Sequence, residues 1–442
     1  MTARGPAATF PRGPRSAWLS TWQSWRDPLG CHDRWAEHYG DPYAVTIFGH
    51  RFVLSVEPST IQAFFQANAG SHGLYLAFAT LPTAGRHSLI QAVGRPHREK
   101  RGLILPALTG SALAEHTAAL GAAAERVLAR AAEKPRVCAY AAALEFAIEA
   151  ILELIGLGAS PRRAALALAV QEAHEALRPE YLFLPAWQRS AWAKPLFGRI
   201  DRALDRCLTL LREEIDRLAR RAALPTTTLL GSLLAARPDG QPIPREAIVD
   251  HVRTAIFGGI ESSTATMAFM VDFVFRRRRI VERLQREVRA HAWPWRDAAV
   301  VPPYVRAVVR ETLRFCPVTG LAVHELHEDT HVAGYDLPRG TGVGANVYRL
   351  HRRPDFYPRP HEFLPERFLE HKPVPYTFLP FGAGARACIG AQLATLEASL
   401  FLAVLVRDFE VHLLHTQPSR VIRRPLVACP ADGVPVRLRR LH

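Results

Sequence analysis

Hydrophobic positions change their spacing twice along the chain. Between Tyr43 and Val56 they alternate: Val45 and Ile47 precede a Gly49-His50 turn, and Phe52, Leu54 and Val56 follow it. That is the pattern of a β-hairpin and predicts a small early sheet. From Pro58 the period becomes helical, and stretches rich in Ala, Leu, Glu and Arg at 111–132, 141–157, 162–177 and 199–223 predict long helices. Residues 247–275 form one long apolar segment with few breaks other than the pair Gly258-Gly259. A helix apolar on most faces belongs in the middle of a large protein. A charged amphipathic helix is expected at 280–290. Beyond Phe315, Pro, Gly and His punctuate short strands at 321–325 and 331–337, an apolar helix follows over 389–406, and strands at 409–413 and 434–438 close the chain. The polar stretch 226–244 reads as a surface excursion rather than a domain boundary. The expected fold is mainly α with small β-sheets (α+β): a partly irregular segment over 1–42 and one large domain over 43–442.

Composition narrows the function classes. Of 442 residues 48% are hydrophobic, which supports a large core and excludes a disordered or fibrous chain. Lys and Arg number 56 against 41 Asp and Glu, a net charge of +15. The basic residues are dispersed, and the one compact run, Arg276 to Arg279, directly follows the apolar segment, so it reads as a solvated helix end and no nucleic-acid partner is expected. Six cysteines stand far apart without a CxxC pair, which gives no disulfide or zinc framework. Met1 to Arg15 contains no apolar stretch long enough for a signal peptide or anchor; no membrane span and a cytoplasmic location are expected.

One cysteine stands in a chemically loaded place. Phe381-Gly-Ala-Gly384-Ala-Arg386-Ala-Cys388-Ile-Gly390 is a glycine-rich loop directly before an apolar helix. Unpaired N–H groups at a helix start and a backbone able to curl round the sulfur favour a thiolate, a metal ligand or a nucleophile. The pattern Phe-x-x-Gly-x-Arg-x-Cys-x-Gly resembles the heme-binding loop of the cytochrome P450 family. That resemblance implies heme b with Cys388 as the axial ligand to iron, Phe381 shielding the sulfur, Gly390 letting the porphyrin lie flat, and Arg386 pairing with a propionate. An axial thiolate favours O–O cleavage.

Other segments resemble the family in the same order. Glu311 and Arg314, at i and i+3 on a helix, with Arg367 in Pro365-Glu-Arg-Phe368, are similar to its buried structural Glu-Arg-Arg network. Gly94 to Arg101 resembles the helix above the heme edge, which implies that His97 and Arg101 reach a propionate, as would His324 where many relatives carry arginine. Phe257 to Ser263 resembles the oxygen-activation segment. Gly258 and Gly259 would leave room over the iron and allow a local kink. Glu261 and Ser262 would deliver the two protons that heterolysis of O2 requires, with Ser262 standing where most relatives place threonine. Leu76, Phe78, Leu81, Phe183 and Ile256, together with Gly258 and Gly259, are the expected substrate pocket, flanked by Tyr181, Trp187 and Trp192.

The implied activity is that of a monomeric heme-thiolate monooxygenase that inserts one oxygen atom from O2 into a hydrophobic small molecule by hydroxylation or epoxidation. A terpene, polyketide, fatty acyl or steroid-like substrate of secondary metabolism is expected. No flavin or nicotinamide fingerprint is present, so a separate electron donor is implied, an acidic ferredoxin or flavodoxin steered by Arg98, Lys100 and Arg101. A heme-thiolate peroxygenase or isomerase, or a heme-binding sensor without turnover, remains open on the sequence.

Overall fold

The computed structural model describes residues 9–67, 73–74, 77–183, 194–220, 224–291 and 301–441. Helices α1 (Ala17–Arg26) and α2 (Gly30–Tyr39) precede the first strand, and α1 packs against it. Of the segment expected to be partly irregular, the described residues 9–16 carry no helix or strand, and the two helices follow them. It is continuous with the body that follows, because Trp35 buries against Tyr43, Val45 and Leu54.

The early hairpin is present, with β1 (Tyr43–Ile47) antiparallel to β2 (His50–Ser55). Its turn lies one residue earlier than expected. Phe48 (φ 50°) and Gly49 (φ 79°) are the left-handed pair, and His50 already pairs with Ile47. A two-residue strand β3 (Gly73–Leu74) follows.

The body is helical. It is built from α3 (Gly94–Ile104), α4 (Gly110–Ala132), α5 (Ala139–Ile155), α6 (Arg163–Ala176), α7 (Lys194–Ala219), α8 (Arg245–Phe275), α9 (Arg278–Ala290), α10 (Pro303–Phe315) and α11 (Ala391–Asp408), with shorter helical turns between them. The short strand β4 (Val137–Cys138) precedes α5. Helix α8 runs unbroken through Gly258-Gly259, so the glycine pair does not end the helical ladder. It packs against α5 on one side and α11 on another, and nearly every residue from Ile260 to Val274 is buried. Phe146 of α5 stacks on Phe401 of α11, with ring centroids 5.8 Å apart, and locks these two helices beneath α8.

The Arg276 to Arg279 run is only half solvated. Arg276 pairs with Asp272 at 2.7 Å, and Arg277 donates to the Phe273 carbonyl and lies over the Phe363 ring, while Arg278 and Arg279 are exposed.

Later strands complete the sheets: β5 (Leu321–Glu325), β6 (Thr330–Val332), β7 (Tyr335–Leu337), β8 (Gly342–Asn346), β9 (Phe409–Leu413), β10 (Val421–Arg424), β11 (Val427–Pro430) and β12 (Pro435–Arg440). The stretch expected as one strand at 331–337 is the β6–β7 hairpin, turned at Ala333-Gly334, both with positive φ. The largest sheet has the order β1-β2-β8-β5-β3, with β2 and β8 parallel and the other neighbours antiparallel. A Cβ at Gly342 would fall 2.4 Å from the Phe52 ring, and one at Gly344 would fall 1.9 Å from the Ala322 carbonyl oxygen. Close strand approach is what these two glycines permit.

Candidate active site

Cys388 is held by its loop. Gly382 (φ 69°) and Gly384 (φ 64°) adopt left-handed conformations that let the chain turn back. The Cys388 N–H then donates to the Phe381 carbonyl at 2.8 Å, three residues before α11 begins at Ala391. The Arg386 guanidinium donates to the Ala92 carbonyl, and Arg101 donates to the Ala387 carbonyl at 2.8 Å. Two arginines thus tie the loop to α3 and to the segment before it. Burial pushes the Cys388 thiol above its ordinary pKa, and only the Gly390 N–H and the Arg101 charge pull it back. The side chain nevertheless opens onto the cavity, where a bound cation would favour the thiolate.

The loop closes one side of a cavity of about 500 Å³. Cys388, Phe381, Gly390, Arg386, His97, Arg101 and His324 all line it, as do Gly258, Gly259 and Ser262 of α8. His97 is held neutral, its pKa pushed down to about 4 by burial and by the charges of Arg386, Arg101 and Arg98. His324 packs edge-on against Phe65, with centroids 4.5 Å apart.

The residues present fit a heme. A Cβ on Gly390 would meet no protein atom within 4 Å, so the floor beside the cysteine is open where a flat ring would lie. Gly258 is equally open on the opposite wall. Cys429, the other cysteine in the C-terminal region, is buried 4.0 Å from the Tyr140 hydroxyl and is not among the lining residues.

Other expectations are corrected. Glu261 is not in the cavity wall: its carboxylate accepts the Leu426 N–H at 3.2 Å, which turns it toward the β10–β11 hairpin and away from Ser262's side of the helix. Burial raises its pKa to about 8, offset by the N–H groups of Leu426 and Val427 and by Arg423 and Arg424. Ile256 is buried in helix packing and does not line the cavity, and Leu81 is 46% exposed. Phe183 does line it, stacked on Phe48 at 4.6 Å between centroids. Leu76, Trp187, Trp192 and the side chain of Phe78 lie outside the described residues. Lys100 is turned toward the His87 carbonyl and Arg101 inward toward the loop, which leaves Arg98 as the exposed member of the expected docking trio.

The structure adds side chains that the sequence did not single out. Arg423, His32 and His251 line the cavity. Glu397 of α11 is wholly buried and bonded by the Ser263 hydroxyl, and burial raises its pKa to about 8. Its signal was a lone acid nine residues after the cysteine in an otherwise apolar helix.

Supporting this site is a buried ion-pair network. Glu311 accepts from Arg314 at 2.7 and 2.8 Å and from Arg367 at 3.2 Å, while Arg314 donates onward to the carbonyls of His351, Pro360 and Glu362. His351 Nε2 in turn accepts the Leu379 N–H at 3.0 Å, just ahead of the cysteine loop.

Fold and site define a protein that carries heme against a cysteine sulfur. The Cytochrome P450 sequence profile matches residues 11–436. A Mycobacterium bovis protein described as cytochrome P450 135B1 is 30% identical over 420 residues, 91% of this chain and 85% of its own length. Taxoid 2-alpha-hydroxylase of Taxus canadensis is 31% identical over 281 residues, 60% of this chain and 55% of that protein. The solved structure of retinoic acid bound cyanobacterial CYP120A1 superposes with a TM-score of 0.85 at 24% identity, over 98% of this chain and 100% of that one. The chain belongs to the cytochrome P450 family. It is a heme-thiolate monooxygenase that uses O2, an organic substrate and a redox partner. Among the described residues, no single helix is long and apolar enough to cross a membrane.

Proposed function

We propose that Cys388 would hold the heme iron through its sulfur, with Phe381 shielding the sulfur, Gly390 leaving room for the porphyrin, and His97, Arg101, His324 and Arg386 binding its propionates. The convergence of these side chains with Ser262 and the Gly258-Gly259 pair on one cavity carries the reading. Heme bound there supplies activation of O2 and transfer of one oxygen atom.

The chain supplies the rest. The hydrogen bond from Cys388 N–H to Phe381 holds the sulfur in one direction, and the arginine bonds to Ala92 and Ala387 keep the loop against α3. Ser262 offers a hydroxyl that can accept a proton and pass one on at the cavity wall. Glu261 acts as a structural acid that clamps the hairpin beside it, so any proton must reach Ser262 by another route.

Apolar side chains exclude water around the substrate, among them Ile104, Leu108, Ile151, Phe183 and Leu426. A hydrophobic small molecule fits that wall, and a terpenoid is favoured by the names of two similar proteins, a taxoid hydroxylase and a retinoic acid bound P450. Electrons come from a separate acidic ferredoxin or flavodoxin that docks near Arg98.

The test is a spectral titration of the purified oxidised holoprotein with terpenes, polyketides, fatty acyl compounds and steroids, followed by turnover under 18O2 with a surrogate donor. One labelled oxygen in an alcohol or epoxide is expected. Product without label would overturn the reading.

A further inference from the structure

Helix α8 turns one stripe toward the cavity. His251, Thr254, Ala255, Gly258, Gly259 and Ser262 succeed one another at helical spacing, and all of them line it. Between His251 and Ser262 the only polar side chain on this stripe is Thr254, whose hydroxyl donates to the Asp250 carbonyl at 2.6 Å and to the Ala84 carbonyl at 3.0 Å. Thr254 is therefore spent on the protein. His251 is not: the residue is 3% exposed, and its Nδ1 has no hydrogen-bond partner. From 251 to 262 the helix rises about 16 Å, so the cavity carries an unspent imidazole at one end of the stripe and the Ser262 hydroxyl well away from it.

The charges around His251 are already engaged. Asp250 accepts from the His87 N–H at 2.8 Å, lies 3.0 Å from His87 Nδ1 and pairs with Arg253 at 3.1 Å, while Lys100 donates to the His87 carbonyl. Burial, with the Lys100 charge, pushes the His251 pKa down to about 4, so the ring is neutral near pH 7. A buried polar group without a partner is uncommon and costly, and a ligand able to bond it is favoured over one that is not. A hydroxyl both donates and accepts, so it matches either tautomer of a neutral imidazole. With Nδ1 sealed in the packing, Nε2 is the ring nitrogen left for a molecule in the cavity.

We propose that His251 is a specificity-determining residue that hydrogen-bonds an alcohol hydroxyl already carried by the hydrophobic substrate. This rests on the cavity being the oxidation site. It narrows the substrate to a neutral, elongated alcohol, and it directs oxidation to carbons remote from that hydroxyl.

The experiment compares primary n-alkanols of ten to sixteen carbons with the 1-chloroalkanes of equal length, which keep the chain and lose the donor. Binding to the holoprotein is measured by calorimetry and by the heme absorbance change, and the positions oxidised during turnover are identified. His251→Leu should lower the alcohol-to-chloride affinity ratio about tenfold, by weakening the alcohol and not the chloride. His251→Gln, which keeps a polar atom near the Nε2 position, should retain part of the ratio. The wild type should oxidise the alkanol far from its hydroxyl, and His251→Leu should spread the products along the chain. Since the leucine variant loses a buried group with an unpartnered nitrogen, its melting temperature should not fall.

A ratio unchanged by His251→Leu would overturn the proposal, as would equal weakening of alcohol and chloride, which marks lost packing and not a lost hydrogen bond. A fall in the ratio for an alkanol that neither alters the heme spectrum nor is oxidised would support the hydroxyl site and instead contradict the cavity as the place of oxidation.

Discussion

Glu311 and Arg314 face each other with both side chains wholly buried, Nε to Oε2 at 2.7 Å and Nη2 to Oε1 at 2.8 Å. The pair is useful for what it holds. Glu311 also accepts the Leu364 N–H at 2.8 Å, and Arg314 gathers three carbonyls from 351–362, so an irregular segment is fastened beneath the cysteine loop. Glu311→Ala would strand a buried guanidinium at a cost of about 3–5 kcal/mol. Replacing Arg367, whose side chain is 12% exposed, by alanine leaves Glu311 paired with Arg314 and should cost less, about 1–3 kcal/mol. Denaturant unfolding of the two variants, read beside heme content, checks this order; equal losses would contradict it.

Ser262→Ala should divert reducing equivalents from product to hydrogen peroxide while heme content stays at the wild-type level. Glu261→Gln keeps an acceptor for the Leu426 N–H and should change coupling much less. Product formed per nicotinamide consumed is the measurement. A larger effect at Glu261 than at Ser262 would restore the acid to proton delivery.

Buried ionisable groups set a pH optimum for stability. His32, His174, His251 and His351 have folded pKa values lowered to about 3–4 by burial, so between there and about 6.5 the unfolded chain binds more protons and stability rises with pH. Glu261 and Glu397 have folded values raised to about 8, so from about 4.5 up to 8 the folded chain binds more and stability falls with pH. Four imidazoles outweigh two carboxyls below about 6.5, and the carboxyls act alone above it. The melting temperature should therefore peak near pH 6.5. Glu397→Gln should flatten the decline on the alkaline side by about half, because it removes one of the two carboxyls. A melting temperature that climbs steadily to pH 8 would contradict both assignments.

Gly390 is the point where backbone alone forms the cavity floor. A Cβ there meets no protein atom within 4 Å, so Gly390→Val should fold normally yet retain far less heme. Far-UV circular dichroism and the pigment-to-protein ratio check this; full pigment would remove the glycine from the seat of the ring.

What the sequence made legible was local. The cysteine loop and the Glu311/Arg314 pair could be read because each needs particular residues at fixed short spacing, and the long helices because their apolar periods persist for many turns. Strand β8 was missed because Gly-Val-Gly-Ala-Asn is buried throughout and shows no alternation. The direction of Glu261 was not legible either. It is set by a backbone N–H 165 residues away, and one step along a helix separates the cavity face from the hairpin face. Arg423 went unnoticed for a similar reason, since its place in the cavity wall is set beside Ser24, 399 residues away.

The most direct measurement is the absorbance of the purified, reduced, carbon monoxide-treated protein and of its Cys388→His variant. Thiolate ligation predicts a Soret band at longer wavelength than histidine ligation gives in the wild type. In the variant that band should move to the position typical of histidine-ligated heme. A wild-type band at the histidine position, or an unshifted band after the cysteine is replaced, would contradict the assignment of Cys388 as the ligand.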